Sequence, residues 1–318
     1  MNLSSTSDMG APPIQALQLP GLEKSGVNLH VLRLDLMHPA IGGNKWFKLK
    51  QNIALLQDGG YRHALSFGGA YSNHLAALAA AGRIYGFDTV GVIRGELIEP
   101  LNPVLQFVRE QGMALHPVSR SDYRRKNDDE FVRQLRETWG EFYLIPEGGS
   151  NGAGVVGTEE IGKICADFRA TSTAERLFVG LACGTGTTMA GLLRGMGKSG
   201  AIENCMVLGV AVLRAEHWLQ DEVARWLSHD EAVPDWRILG NYHCGGYARQ
   251  NDALTGFLRQ TMAISAVPVE PVYTGKLFFG IYQEILQGAV PRGSDVLLIH
   301  TGGIHTQINV TNTVDYGA

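Results

Sequence analysis

Three lysines stand among two aromatic residues directly after a glycine pair, in the stretch IGGNKWFKLK from Ile41 to Lys50. A lysine in a partly desolvated cleft has a lowered pKa and can condense with an aldehyde to form a Schiff base. Gly42 and Gly43 let backbone approach a ligand closely. Lys45 sits at the start of a helical pattern, with Asn44 as its candidate cap. In SFGGAYSNH an apolar run stops at Gly68-Gly69, and Ser72, Asn73 and His74 open a helix whose free N–H groups suit a carboxylate. In ACGTGTTMAG, Gly184, Thr185, Gly186, Thr187 and Thr188 place glycines and hydroxyls at a strand-to-helix turn, which makes a phosphate cup. No GK[ST] follows, and Met189 stands where a dinucleotide fingerprint needs its third glycine, so ATP and NAD fit poorly. Tyr273 precedes a helix in VYTGK, and Thr301 follows an apolar run in HTGG. Each stretch alone is also compatible with a solvated lysine, a plain cap, a tight turn or a packed tyrosine. Together they describe one ligand with an aldehyde, a phosphate and an aromatic ring, which is pyridoxal 5'-phosphate (PLP).

Regular alternation of short apolar runs with longer helical patterns positions these loops. Strands are expected at 63–69, 89–95, 114–118 and 142–146, with helices between them at 72–86, 102–112 and 128–140. A glycine loop spans 147–154. A second series has strands at 176–184, 205–213 and 295–303 and helices at 187–197, 215–227 and 272–288. Such alternation implies an α/β fold of parallel strands joined by crossover helices. We read two open, twisted parallel-sheet layers, with a cleft between them lined by the carboxyl ends of strands.

The chain has 318 residues, 45% of them hydrophobic, which suits two domains. A formal net charge of -4 leaves no excess of positive charge for a nucleic-acid backbone. Cys165, Cys183, Cys205 and Cys244 are widely spaced, form no CxxC pair and make no zinc pattern with histidine, so no metal is expected. No secretory signal and no membrane-length apolar run is visible, which gives the expectation of a cytoplasmic protein that binds no membrane.

With these motifs in this order, from IGGNK to HTGG, the sequence resembles the fold-type-II PLP enzymes, the tryptophan-synthase-β-like group. Within that group it is most similar to the 1-aminocyclopropane-1-carboxylate (ACC) deaminase / D-cysteine desulfhydrase family. The resemblance implies a large domain from residues 1–48 and 155–318, a small inserted domain at 49–154, the cofactor in the interdomain cleft, and a homodimer. It implies that Lys45 is the Schiff-base lysine and that Lys48 and Lys50 are supporting or exposed. Asn73 would bond the cofactor's ring hydroxyl. Ser72, Asn73 and His74 would face the substrate carboxylate, with Ser72 assisting proton transfer. Gly184 to Thr188 would bind the phosphate, and Tyr273 would act beside the cofactor. Tyr247, in CGGYARQND, matches a second active-site tyrosine. ACC deaminases carry a glutamate after the tyrosine of VYEGK. Here that position is Thr274, as in the desulfhydrase-like members, and Thr301 would then meet the pyridine nitrogen. His74 replaces the glutamine usual in ACC deaminases, and the segment before GGNK lacks the family's usual charged pattern.

A neutral hydroxyl partner leaves the pyridine nitrogen less protonated, which suits β-elimination of a good leaving group better than ring opening. The expected activity is therefore PLP-dependent β-elimination and deamination of a small amino acid, D-cysteine first, giving an α-keto acid, ammonia and sulfide. The alternatives are ACC ring opening, a serine/threonine dehydratase and a β-replacement synthase. A PLP-binding protein without turnover is the non-enzyme alternative, and the serine and tyrosine positions argue against it. A nucleotide-dependent oxidoreductase is disfavoured by Met189 and by the lack of an acidic residue ending the strand at 205–213.

Overall fold

The computed structural model describes residues 11–38 and 40–303 of the chain. Two sheets form. The larger runs β1 (Ile14–Leu17), β2 (Asn28–Arg33), β10 (Asp295–His300), β7 (Leu177–Cys183), β8 (Cys205–Ala211) and β9 (Asp235–Leu239), in that spatial order. The smaller runs β5 (Ala114–Val118), β4 (Asp88–Arg94), β3 (His63–Gly68) and β6 (Tyr143–Ile145). All neighbours are parallel except β1 and β2, which pair antiparallel with Ile14 opposite Leu32. The expectation of wholly parallel sheets is corrected at this edge. A ten-residue connection is long enough for an antiparallel return and too short for a crossover helix.

The central strands β7 and β10 are buried along their whole length, as parallel strands covered on both faces must be. Helix α6 (Gly152–Thr171) packs on both α1 (Asn44–Asp58) and α7 (Thr187–Lys198), and the three share one hydrophobic core with β2, β7, β8 and β10 of the larger sheet. Helix α6 begins inside the stretch expected to be a glycine loop, with the Asn151 side chain capping Gly154 N–H at 2.9 Å. Its glycines serve contact: a Cβ on Gly157 would overlap the Phe47 carbonyl, and one on Gly191 of α7 would overlap the Thr158 hydroxyl. Gly157→Ala is therefore expected to destabilise the protein by about 2–3 kcal/mol through overpacking. Thermal unfolding should show a drop of about 4–12 °C; an unchanged midpoint would mean that α1 and α6 separate without penalty.

Helices α2 (Asn73–Tyr85), α3 (Pro103–Glu110), α4 (Arg120–Arg124) and α5 (Asp129–Trp139) accompany the smaller sheet, while α8 (Glu216–Ala224), α9 (Asp252–Ile264) and α10 (Thr274–Leu286) accompany the larger one. A division at 49 and 154 cuts both α1 and α6. The segment between those two helices, 59–151, carries the whole smaller sheet.

Candidate active site

The carboxyl ends of β3, β7 and β10 lead into the turns that carry Ser72–His74, Gly184–Thr188 and Thr301. Gly43, at φ +79°, lies so close to the turn after β10 that a Cβ there would overlap the Thr301 carbonyl oxygen, and Asn44 N–H donates to that oxygen at 3.2 Å. Asn44, the candidate cap of α1 in the sequence, is instead its first helical residue. Gly43 holds the cap site, and the Asn44 amide donates to the Thr188 hydroxyl at 2.9 Å, tying the start of α1 to the start of α7. Lys45 stands in this first turn, and burial lowers its pKa to about 8. Lys48, one turn on and on the same face, is 2% exposed. Its ammonium donates to the Gly148 carbonyl at 3.0 Å and approaches the Thr185 hydroxyl at 3.5 Å. Burial, then the charge of Lys45, push its pKa well down. Lys50 turns away to an ion pair with Glu160 on α6.

The turn between β7 and α7 has Gly186 in the left-handed region at φ +74°, and no side chain caps the helix. The first N–H groups of α7 are therefore free of a side-chain cap. Around them the Thr187 hydroxyl donates to the Ser150 hydroxyl at 2.9 Å and lies 3.4 Å from that of Thr185. An uncapped helix start, three hydroxyls and the buried Lys48 ammonium make a site for a phosphate-sized anion.

On α2, Ser72 is the N-cap and its hydroxyl accepts Leu75 N–H at 3.2 Å, leaving the N–H groups of Asn73 and His74 without a side-chain cap. The Asn73 side-chain oxygen is buried and unpartnered among the described residues. The His74 imidazole is buried, with Nε2 2.8 Å from the Ser66 hydroxyl on β3 and Nδ1 without a partner among the described residues. Burial, then Lys45 and Lys48, hold its pKa far below the usual value, so it is neutral.

Tyr273 lies against the β7–α7 turn: a Cβ on Gly184 would be 3.4 Å from its ring. Its hydroxyl is 3.2 Å from that of Tyr247, and the rings meet edge to face at 5.9 Å. Burial, then Tyr247, push the Tyr273 pKa well up. The Tyr247 loop is braced by the fully buried Lys276, which donates to Gly246 O at 2.7 Å and Val212 O at 3.1 Å. Thr274 is buried in the cap of α10. Its N–H donates to Glu270 at 2.7 Å, as do those of Tyr273 at 2.7 Å and Val272 at 2.6 Å. Thr301 offers its carbonyl to Asn44, and its hydroxyl makes no hydrogen bond among the described residues. Behind it, buried His300 lies 3.2 Å from Asp35, which Arg33 grips with two nitrogens.

A family model described as pyridoxal-phosphate dependent enzyme matches residues 8–302. The chain belongs to that family. A putative 1-aminocyclopropane-1-carboxylate deaminase of Thermotoga maritima is 30% identical over 302 residues, covering 92% of this chain and 93% of its own. The bifunctional D-cysteine desulfhydrase/1-aminocyclopropane-1-carboxylate deaminase, mitochondrial, of Arabidopsis thaliana is 28% identical, covering 92% of this chain and 76% of its own. The crystal structure of an ACC deaminase homologue superimposes with a TM-score of 0.77 at 26% identity, covering 93% of this chain and 90% of that one. PLP is accordingly the cofactor, and the chain is a PLP-dependent lyase of the ACC deaminase/D-cysteine desulfhydrase group.

The residues present fit PLP. The cup after β7 suits its phosphate, the low-pKa Lys45 its aldehyde, and the orphaned Asn73 oxygen a polar group of its ring. Two buried charged side chains around these loops are not assigned a part by the motifs alone. Lys48 is three residues from Lys45, a spacing that puts both on one helix face, and that signal was available in the sequence. Glu270 lies outside VYTGK and has no sequence signal, because its partners are three backbone N–H groups.

Proposed function

We propose that this PLP-dependent enzyme eliminates the β-substituent of a small amino acid and deaminates it, with D-cysteine as the first substrate. The observation that carries the reading is the meeting of Lys45, with its pKa near 8, with the uncapped start of α7, the Ser72-capped start of α2 and the Tyr273–Tyr247 pair. Bound PLP supplies an electron sink for charge developing at the substrate's Cα. Gly184 to Thr188 and Lys48 hold its phosphate, Asn73 its ring hydroxyl and Thr301 its ring nitrogen. The N–H groups of Asn73 and His74, with Ser72, bind the substrate carboxylate. The amine of Lys45, neutral in a useful fraction near pH 8, takes the Cα proton. The Tyr273–Tyr247 pair stands where a proton can be given to the leaving sulfur. The Cβ–S bond breaks with its electron pair on sulfur, and 2-aminoacrylate with water then gives pyruvate and ammonia.

Elimination is favoured over ring opening because Thr274 and Glu270 are both spent on capping α10, which leaves a hydroxyl rather than a carboxylate for the pyridine nitrogen. The proposal includes a homodimer, as the family resemblance implies, located in the cytoplasm. No helix among the described residues is long and apolar enough to cross a membrane. Incubating the holoenzyme with D-cysteine, L-cysteine and ACC, and assaying pyruvate, sulfide, 2-oxobutyrate and ammonia, tests the reading. Pyruvate and sulfide from D-cysteine are expected; 2-oxobutyrate from ACC with no sulfide from either cysteine would replace elimination by ring opening.

A further inference from the structure

Beside the turn that carries Ser72 and Asn73 lies a cation that the reading above leaves unused. Arg94 is the last residue of β4, and its neighbour Ile93 pairs with Gly68 at the end of β3. Its guanidinium is 3.5 Å from where a Cβ on Gly69 would stand, so the missing side chain at Gly69 leaves room between the arginine and the turn. Arg94 is exposed, and its one specific contact among the described residues is the face of the Tyr123 ring, at 5.8 Å. Tyr123 is 3% exposed, and its hydroxyl is buried without a well-formed hydrogen bond. Desolvation raises its pKa most, followed by the charge of the Glu147 carboxylate and its approach to the hydroxyl, while Arg94 opposes the rise, so all three lie close together. Tyr247, on the larger-sheet side of the cleft, feels both Arg94 and Glu147 as well. Glu147 does not cancel the arginine, because Lys126 already pairs with it at 3.3 Å. The mouth of the cleft thus carries an excess cation and a buried hydroxyl without a well-formed hydrogen bond, next to the turn assigned to the substrate carboxylate and across from Tyr247.

We infer that Arg94 and the Tyr123 hydroxyl form a subsite for a negatively charged β-substituent, which extends the substrate class from D-cysteine to β-substituted D-alanines with an anionic leaving group. The inference rests on the elimination reading for its chemistry and on the mouth geometry for its specificity. With O-phospho-D-serine as the probe, the base takes the Cα proton, and the Cβ–O bond breaks with its electron pair on the departing phosphate. The 2-aminoacrylate then reacts with water to give pyruvate and ammonia. Arg94 transfers no proton; it offsets the charge of the phosphate before and during departure, and the tyrosine donates one hydrogen bond.

The test compares O-phospho-D-serine with neutral β-chloro-D-alanine on the holoenzyme, by pyruvate formation and by titrating the absorbance of the bound cofactor. The wild type is expected to prefer the phosphorylated compound. Arg94→Gln is expected to lower the charged-to-neutral ratio of kcat/KM, and of affinity, by about 30-fold, the scale of a lost charge-assisted contact. Arg94→Lys should restore most of the ratio, and Tyr123→Phe should lower it by roughly 3- to 10-fold. An equal loss on both compounds would show that the arginine serves the α-carboxylate and would overturn the subsite, as would an unchanged ratio. If neither compound yields pyruvate, the elimination reading fails, and the affinity ratio still decides the subsite.

Discussion

Replacing Lys45 with alanine is expected to abolish the lysine Schiff-base absorbance of the PLP-loaded protein and to lower turnover by at least about 10³-fold. Lys48→Met should keep a visible band but weaken cofactor binding by about 10- to 100-fold, the scale of one charge-assisted contact to a phosphate. Lys50→Ala should do neither. The three lysines share one helix, and its geometry separates them. Lys45 is in the first turn, between the β10 turn and α7. Lys48 points into the cup beside Thr185, and Lys50 is paired with Glu160 on α6. Burial keeps the Lys45 amine available near pH 8, and the charge of Lys45 adds to the burial that lowers the pKa of Lys48. Absorbance spectra and equilibrium dialysis of the three variants check this. A band that survives in Lys45→Ala and disappears in Lys48→Met would exchange the two roles.

The parts of this site that were legible in sequence are those fixed by local turn chemistry. GGNK, GTGTT and YTGK each declare themselves because glycines or hydroxyls at a strand-to-helix junction have few other uses, and the structure brings all three to one place. What depended on direction was not legible. Ser72, Asn73 and His74 are consecutive at a helix start, and side chains about 100° apart per residue cannot all face one ligand. The His74 imidazole is buried with its Nε2 on Ser66. Elements with weak patterns were also hidden. Strands β1 and β2 stand before the regular strand–helix alternation begins, β9 and α9 lie in a stretch without it, and α6 starts inside a run of glycines. Those glycines read as loop because their use is close contact with α1 and α7, which only the assembled helices reveal.

Glu270 is the residue whose loss should most damage the framework under the tyrosines. It is 2% exposed, and its carboxylate accepts the N–H groups of Val272, Tyr273 and Thr274. Burial raises its pKa, and those N–H groups, that of Thr274 foremost, oppose the rise. Gly303 packs so closely that a Cβ there would stand 2.9 Å from its Cγ. Glu270→Ala strands three buried donors at the start of α10, a loss of about 3–5 kcal/mol and a fall in the unfolding midpoint on the order of 10 °C. Glu270→Gln keeps one acceptor oxygen but turns an amide donor toward a backbone donor, so about half that loss is expected. Because the Tyr273 N–H is one of the three, Tyr273 should shift against Tyr247, and D-cysteine turnover should fall in step with stability. A Glu270→Gln variant that melted like the wild type but altered the spectrum of bound PLP would show the opposite arrangement: a carboxylate acting on the cofactor ring, with α10 held by other means.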